Sequence, residues 1–375
     1  MTFMPVRAVL REVGMTLREP FRISSGVTNT RRVLLVELID AEGHSGWGEC
    51  VAGEMPNYSS ETVETARLAI TRWLAPRVLG TRFDSAARVA ARWDGTVRGH
   101  RMAKAALEMA AWALEAEVRQ VSLASLLGGT QHRVPVGISL GLQDTIDAIV
   151  ERAVAARALG YRRIKIKIAP GHDEPWIAAV RAALGPDIPL SVDANAAYRI
   201  EDADDLAALD RYNLVMIEQP LAGDDLIRHA RLQARLQTPI CLDESISHGG
   251  ACADALELGA CRIVNIKPGR VGGLAEAIRI HDLCAAERVP VWCGGMLETG
   301  IGRAHNVALA SLPNFHLPND LSPSARYWTE DIVDPEWTMS ADGWVTVPRD
   351  VPGLGVAVRR DLIADRTAWE ETLTA

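Results

Sequence analysis

The chain lacks any run of about 18 uncharged apolar residues, so no stretch of it reads as a membrane-spanning helix. Its opening, Met1-Thr2-Phe3-Met4-Pro5-Val6-Arg7, has no basic segment followed by an apolar one, and no secretory signal is expected. Positive charge is not in excess. Forty Lys and Arg stand against 48 Asp and Glu, a formal net charge of −8. That balance argues against a nucleic-acid binder or a membrane-surface protein, both of which want a basic face. Cysteine is sparse: Cys50, Cys241, Cys252, Cys261, Cys284 and Cys293 form no C-x-x-C pair, and free thiols in a reducing cytoplasm are expected. The 9 histidines contain no H-E-x-x-H and are read as surface or core polar residues, with His305 alone near the loops of interest.

What is present is ordinary for a globular protein: 48% hydrophobic and 23% charged residues over 375 positions. That length allows two or three domains, or one large barrel with a cap. Residues 1–95 open with strand-like stretches at 6–13, 32–39 and 46–49, with Gly43 in the turn between the last two. Helical patterns follow over 60–79 and over the Ala-rich stretch 102–118. From Val134 the pattern changes. Short β-branched runs at 134–140, 164–168, 190–192, 215–217, 240–242, 263–266, 289–293 and 315–317 alternate with Ala/Leu-rich helical segments. Eight runs separated by helices predict parallel strands joined by crossovers, which close into a (β/α)8-type barrel. An open doubly wound sheet would want a phosphate-binding glycine fingerprint after its first strand, and Val136-Gly137-Ile138-Ser139-Leu140-Gly141 is not followed by one. After Tyr327, segments punctuated by Trp, Pro and Gly are expected to return to the first domain.

Polar residues recur where these strands end. Lys165 and Lys167 end the second, Asp193 and Asn195 the third, Glu218 the fourth, Asp243 and Glu244 the fifth, and Lys267 the sixth. The steps from Lys167 to Asp193, Glu218, Asp243 and Lys267 are 26, 25, 25 and 24 residues, one βα unit each. The five side chains therefore share one rim, the C-terminal one, where barrel active sites sit. Three adjacent carboxylates repel one another unless a cation joins them, and an all-oxygen set suits a hard ion such as Mg²⁺. Lys165 and Lys167, two apart, point to the same side of their strand, which in a closed barrel is the interior. Neighbouring cations and a divalent ion would lower a lysine toward about 7–8, where it can act as a general base. Arg270, three residues past Lys267, could act on it in the same way or lie on a helix surface. A substrate carboxylate could chelate the ion while one lysine removes the α-proton and the ion stabilises the enediolate. Return of a proton to the other face gives racemisation; departure of a β leaving group gives elimination. The glycines of Gly294-Gly295-Met296-Leu297-Glu298-Thr299-Gly300 allow a ligand to approach the backbone. A Schiff-base barrel using one lysine covalently is the rival chemistry.

The Lys-x-Lys, Asp-x-Asn, Glu-Gln-Pro, Asp-Glu-Ser and Asn-Ile-Lys-Pro motifs, in this order, resemble those of the enolase superfamily and its muconate-lactonizing-enzyme subgroup. Residues 237–246, 263–273 and 289–300, with Pro20-Phe21-Arg22, Gly46-Trp47-Gly48-Glu49-Cys50 and 99–104, look like the o-succinylbenzoate synthase / N-succinylamino acid racemase family, over essentially the whole chain. The resemblance implies an α/β fold: a modified (β/α)7β barrel under an α+β capping domain built from the N-terminal segment and the C-terminal tail. Expected boundaries are 1–130 for the cap, 131–325 for the barrel and 326–375 for the returning segment. It implies one Mg²⁺, Mn²⁺ or other divalent ion on Asp193, Glu218 and Asp243, and Lys167 and Lys267 as the acid/base pair. Lys165, Asn195 and Glu244 are supporting groups. Cap loops 21–26 and 55–60, with Phe21, Ser24 and Tyr58, are expected over the mouth, and Ser139, Gly294 and Met296 along the substrate. Arg270 stands where the racemising branch has an arginine. A cytoplasmic homo-oligomer acting on a small-molecule carboxylate is implied, with N-acylamino acid racemisation, dehydration to o-succinylbenzoate, or both. A dipeptide epimerase or muconate-type cycloisomerase is the alternative. The former would want Asp-x-Asp near the eighth strand, and Pro318-Asn319-Asp320-Leu321 supplies one of the two. Ala113 replaces a frequent Asp, and Asn319 an expected Gly near the rim.

Overall fold

Residues 7–39 are rich in β-branched and aliphatic side chains and contain two glycines, Gly14 and Gly26, the second between two such arms. In the computed structural model, which describes residues 2–23 and 26–375, they form one long hairpin. Strand β1 (Arg7–Ile23) runs antiparallel to β2 (Gly26–Ile39), with a register shift between Thr16 and Phe21. The arms are longer than the predicted strands because their outer halves face water, where burial alternation fades and the backbone ladder alone maintains pairing. Of the expected loop 21–26, residues 21–23 and 26 lie within the paired strands, and Ser24 and Ser25 lie outside the described residues.

Strand β3 (Ser45–Cys50) extends the sheet from β2. The Ala-rich stretch folds as the helix Arg101–Arg119, begun where the Glu61 carboxylate accepts from the Met102 and Ala103 N–H groups at 2.9 and 3.1 Å. It packs directly on β3. A Cβ at Gly48 would collide with the Ala106 carbonyl oxygen and sit 2.8 Å from the Ala110 nitrogen, so Gly-x-Gly in the strand and Ala in the helix are one packing solution. The pattern at 60–79 becomes a shorter helix, Val63–Ala69, capped by Thr62. It then loosens over Ile70–Leu74 and ends in a 3-10 turn, Ala75–Arg77, containing Pro76. Ala113 is buried in the cap core.

The run at 134–140 divides. Strand β4 (Arg133–Pro135) leaves the barrel, and β5 (Gly137–Leu140) enters it. Strands β6 (Arg163–Lys167), β7 (Leu190–Asp193), β8 (Ile217–Glu218), β9 (Ile240–Leu242), β10 (Ile263–Ile266) and β11 (Val291–Cys293) follow in parallel, giving the order β11-β10-β9-β8-β7-β6-β5. The eighth run makes no ladder. It closes the gap by single bridges, Phe315 to Val291 and Asn319 to Val136. Asn319 donates its N–H to the Pro135 carbonyl and accepts from the Gly137 N–H, both at 2.8 Å, while its Oδ1 accepts from the Cys293 N–H at 2.7 Å. It is fully buried and holds the seam, so the substitution expected at the rim has a structural role instead. The fold is thus the modified (β/α)7β barrel with its α+β cap. Met216, Cys241, Ile263 and Trp292 fill a small separate core.

The remaining strands return outward. β13 (Trp344–Thr346) pairs with β4, β12 (Val333–Asp334) with β14 (Ala357–Val358), and β15 (Thr367–Thr374) runs antiparallel to β1 at the cap sheet's edge. All six cysteines are free and buried, with the Cys252 and Cys284 sulfurs 3.6 Å apart. Among the described residues, no helix is long and apolar enough to cross a membrane.

The cap is seated on the barrel by buried carboxylates placed at helix starts, where free N–H groups point outward. Glu49 accepts from the Thr299 hydroxyl at 2.6 Å and the Gly302 N–H at 3.0 Å, at the start of the helix Gly300–Ala310. Glu108 accepts from the Leu274 and Ala275 N–H groups at 2.7 and 2.9 Å, at the start of the helix Leu274–Ala286. Burial pushes the Glu49 carboxyl up to about 7 against the pull of its Thr299 bond, with the Glu298 charge adding to the rise. A carboxyl raised in the folded state binds its proton more tightly folded than unfolded. Its stabilising contribution is therefore complete below about 4.5 and is lost as pH rises to about 7. Glu49→Gln, which cannot ionise, is expected to gain stability relative to the parent across that window, by at most about 3 kcal/mol. Urea melts from pH 4.5 to 8 measure it; a difference independent of pH would exclude the assignment.

Candidate active site

Strand β6 places Ile164, Ile166 and Ile168 in the apolar core and turns Arg163, Lys165 and Lys167 the other way, two residues apart. The result is a column of three cations. Arg163, fully buried, and Lys165 lie over the Trp292 ring at 4.1 and 4.6 Å. Carboxylates from neighbouring elements meet each level. Asp320 takes Arg163 at 2.8 Å and Lys165 at 2.9 Å, Glu218 takes Lys165 at 2.8 Å, and Asp193 takes Lys167 at 2.5 Å. Lys167 also donates to Asn195 Oδ1 at 2.6 Å.

The carboxylate strands are neighbours in register: Lys167 opposite Asp193, Asp193 opposite Glu218, and Glu218 opposite Cys241, two residues before Asp243. Just past them the chain bends through left-handed residues, Asn195 at φ 43°, Ala196 at 61° and Gln219 at 37°, a conformation held only where surroundings enforce it. The Asn195 bend lets its N–H reach Asp193 Oδ1 at 2.9 Å. The Gln219 side-chain oxygen accepts from the Asp243 and Ser245 N–H groups at 3.0 and 3.2 Å, fixing the next strand's end.

On the far side, Lys267 donates to Asp243 Oδ2 at 2.7 Å. Arg270 is buried, not on a helix surface. One guanidinium nitrogen binds Asp243 Oδ1, and the others reach the Ile246 and Asn265 carbonyls at 3.0 and 2.6 Å. Tyr58 descends from the cap, donating to Asp243 Oδ1 at 3.0 Å and accepting from Lys267 at 3.2 Å, so it reaches the acid/base layer itself. Glu244 accepts from Asn195 Nδ2 at 3.2 Å through one oxygen; the other is buried without a partner.

A cavity of about 370 Å³ opens above this floor, between Lys167, Asn195 and Lys267 below and the cap above. Phe21, Tyr58 and Met296 line it. Ser139 and Gly294 do not. Ser139 is buried on β5 opposite Lys165, and a Cβ at Gly294 would collide with Asn265 Oδ1 and lie 2.5 Å from Lys267 Cε. Gly294 thus leaves room for the Lys267 arm. His305, expected near the loops, is buried beneath the cap with Nε2 against the Trp47 carbonyl at 2.8 Å. Four further groups were not read from the sequence as site residues: Asp320, Arg163, Arg31, and Asn265, which donates to Glu218 Oε1 at 2.8 Å. Their sequence signal is only indirect, the need of buried charges for partners.

Carboxylates dominate the electrostatics of the floor. Burial lowers Lys165 and Lys267, but Asp320, Glu218 and Asp193 around the first and Asp243 beside the second outweigh it, and both amines lie above their ordinary range. The fall toward about 7–8 is expected with a divalent ion beside the lysines, whereas the carboxylates by themselves hold these two amines up. Burial, then the Asp193 charge, pushes Glu218 up to about 7 against the pull of Lys165. Asp193, also raised by burial, is pulled down to about 2 by Lys167 and Lys165. Asp193, Glu218 and Asp243 are each drawn toward a cation. Among the described residues, the three-residue group whose ligand atoms all lie within 4.8 Å is instead Asp40, Glu42 and His44, on the turn between β2 and β3. The floor still fits a hard divalent ion. Its donors are all oxygen and buried, Glu218 is raised by burial and by its acidic neighbours, and Asn265 Oδ1 is buried beside it without a partner.

Comparison with known proteins agrees with this fold. Residues 148–362 match the family described as enolase C-terminal domain-like, and residues 6–128 match the mandelate racemase / muconate lactonizing enzyme N-terminal domain. The chain is 50% identical over 352 residues to an o-succinylbenzoate synthase of Geobacillus kaustophilus, covering 94% of this chain and 93% of that one. It is 49% identical over 358 residues to an N-succinylamino acid racemase of Amycolatopsis, covering 96% of each. A crystal structure of an enolase superfamily member from Listeria innocua superposes with a TM-score of 0.95 at 38% identity, over 99% of both chains.

Proposed function

The chain belongs to the enolase superfamily, and within it to the o-succinylbenzoate synthase / N-succinylamino acid racemase family, and from that membership we propose that it racemises N-succinylamino acids, dehydrates the precursor of o-succinylbenzoate, or both. The observation that carries this reading is the placement of Lys167 and Lys267. They enter one cavity from β6 and from the end of β10, on either side of the strands that bring Asp193, Glu218 and Asp243. Two amines facing a carbon from opposite sides can invert it. One, as the free amine, takes the α-proton; the other, as the ammonium, gives its proton to the opposite face, and the configuration reverses. Loss of a β-hydroxyl needs only one face.

Asp193, Glu218 and Asp243 would hold Mg²⁺ or a similar divalent ion. When bound, such an ion supplies the positive charge that makes an α-proton next to a carboxylate removable. Asn195 orients the Lys167 ammonium, Arg270 and Tyr58 orient Asp243, and the cap excludes water. Dipeptide epimerisation is disfavoured by the occupation of Asp320, whose two oxygens are taken by Arg163 and Lys165.

The test is a paired assay: dehydration of the succinylbenzoate precursor against α-hydrogen exchange of N-succinyl and N-acetyl amino acids in deuterated water, with and without a chelator. Exchange or dehydration that stops on chelation and returns with Mg²⁺ is expected. Activity that survives chelation and is trapped by borohydride would replace this reading with Schiff-base chemistry.

A further inference from the structure

Four cationic side chains line the cavity: Arg31, Arg32, Lys167 and Lys267. Three have carboxylate partners within the chain. Arg32 binds Glu12 at 2.6 Å and also Glu64, Lys167 binds Asp193 at 2.5 Å, and Lys267 binds Asp243 at 2.7 Å. Arg31 has none. It is only 9% exposed, no described carboxylate lies within 4.0 Å of it, and its Nε is buried without a hydrogen-bond partner. Its one described hydrogen bond runs from Nη2 to the Val51 carbonyl at 3.2 Å. A guanidinium carries five N–H donors and cannot lose its charge. A buried one left this sparsely matched is costly unless something else arrives to pair with it. Gly53 stands beside Arg31 on the cavity wall, where a Cβ would lie 4.0 Å from Nη1.

We infer that Arg31 binds a second, distal carboxylate of the substrate, so that the ligand is a dicarboxylate held at both ends. This rests on the proposed reaction, in which the first carboxylate lies on the floor between the two lysines. The second would extend past apolar Phe21 and Met296 to the guanidinium on the cap wall. A short acyl chain ending in a carboxylate, as in an N-succinyl group, matches that arrangement; an N-acetyl group does not reach it. Arg31 is accordingly a specificity-determining residue, and it touches no reacting atom.

Amino acids carrying an N-succinyl group, its distal amide (N-succinamoyl) or an N-acetyl group separate the possibilities, with Mg²⁺ present throughout. In the parent protein, converting the distal carboxylate to the amide is expected to raise KM about 30-fold, the effect of one desolvated charge-assisted pair. In Arg31→Gln the carboxylate and amide forms should converge to within about threefold. Arg31→Lys should recover part of the discrimination. A parent protein that treats carboxylate and amide alike, or an Arg31→Gln variant that loses all three substrates equally, overturns the assignment. Thermal melts monitor folding of each variant. If Arg31→Gln does not fold, the carboxylate-to-amide ratio of the parent decides alone. Calorimetric binding of N-succinylglycine against N-succinamoylglycine keeps the two proposals apart. A parent protein that prefers the carboxylate but exchanges no α-hydrogen overturns the reaction and leaves Arg31 assigned; exchange without that preference does the reverse.

Discussion

Lys267→Ala is expected to abolish α-hydrogen exchange from one enantiomer of an N-acylamino acid, and Lys167→Ala from the other, each by about 10³–10⁴-fold. The asymmetry follows from placement. The two amines reach the cavity from opposite sides of the carboxylate strands, and each can meet only one face of a bound carbon. Neither replacement strips its carboxylate bare. Asp243 keeps Arg270 and the Tyr58 hydroxyl, and Asp193 keeps Lys165 at 3.6 Å and the Asn195 N–H at 2.9 Å. Both variants should therefore fold, and the loss should be chemical. Proton NMR in deuterated water, run on each pure enantiomer, gives four rates. Parent-like exchange of both enantiomers by both variants would remove the lysines from the mechanism.

Asp320→Ala is expected to have the largest effect on stability. Its carboxylate is the only described hydrogen-bond acceptor of Arg163, which is fully buried, and it is one of three acids around Lys165. Arg163 already leaves Nε and Nη1 without partners, so removing Asp320 strands a complete positive charge in the barrel. Breaking a buried pair from one side costs about 3–5 kcal/mol, well beyond the usual effect of a surface change. Arg163→Met in the same chain should return much of that loss by removing the orphaned charge. Urea midpoints of the single and double variants measure both. A single-variant loss below about 1 kcal/mol would show that the Arg163 charge finds compensation elsewhere.

The barrel was legible because its evidence is periodic. Parallel strands buried on both faces read as short β-branched runs, and a chemical residue at every strand end repeated at the length of one βα unit. Lys165 and Lys167 could be assigned to the interior for the same reason, since a two-residue period fixes the face. What escaped notice depended on partners far along the chain. Asp320 meets Arg163 across 157 residues, and Tyr58, expected over the mouth, reaches on to Asp243 across 185. No local pattern announces such pairs. Arg270 could be placed beside Lys267 but not turned inward, because its direction is set by the Asp243 and Ile246 acceptors. Arg31 lies on a hairpin arm whose facing depends on how the cap rests on the barrel. At Lys165 the attraction of Asp320, Glu218 and Asp193 outweighs burial, a sum over distant segments that no single stretch of sequence displays.

The seam at Asn319 has a mechanical consequence. Elsewhere around the barrel, neighbouring strands share a continuous ladder, whereas here closure depends on isolated bridges and one amide side chain. Local opening should begin there, since fewer bonds must break together. Asp320 is the next residue, so a fluctuation that parts the seam also withdraws the counter-charge from Lys165 and Arg163 at the base of the cation column. Breathing of the wall and readiness of the site are thereby tied to one another, and any ligand that steadies the column will slow solvent entry at a joint it never touches.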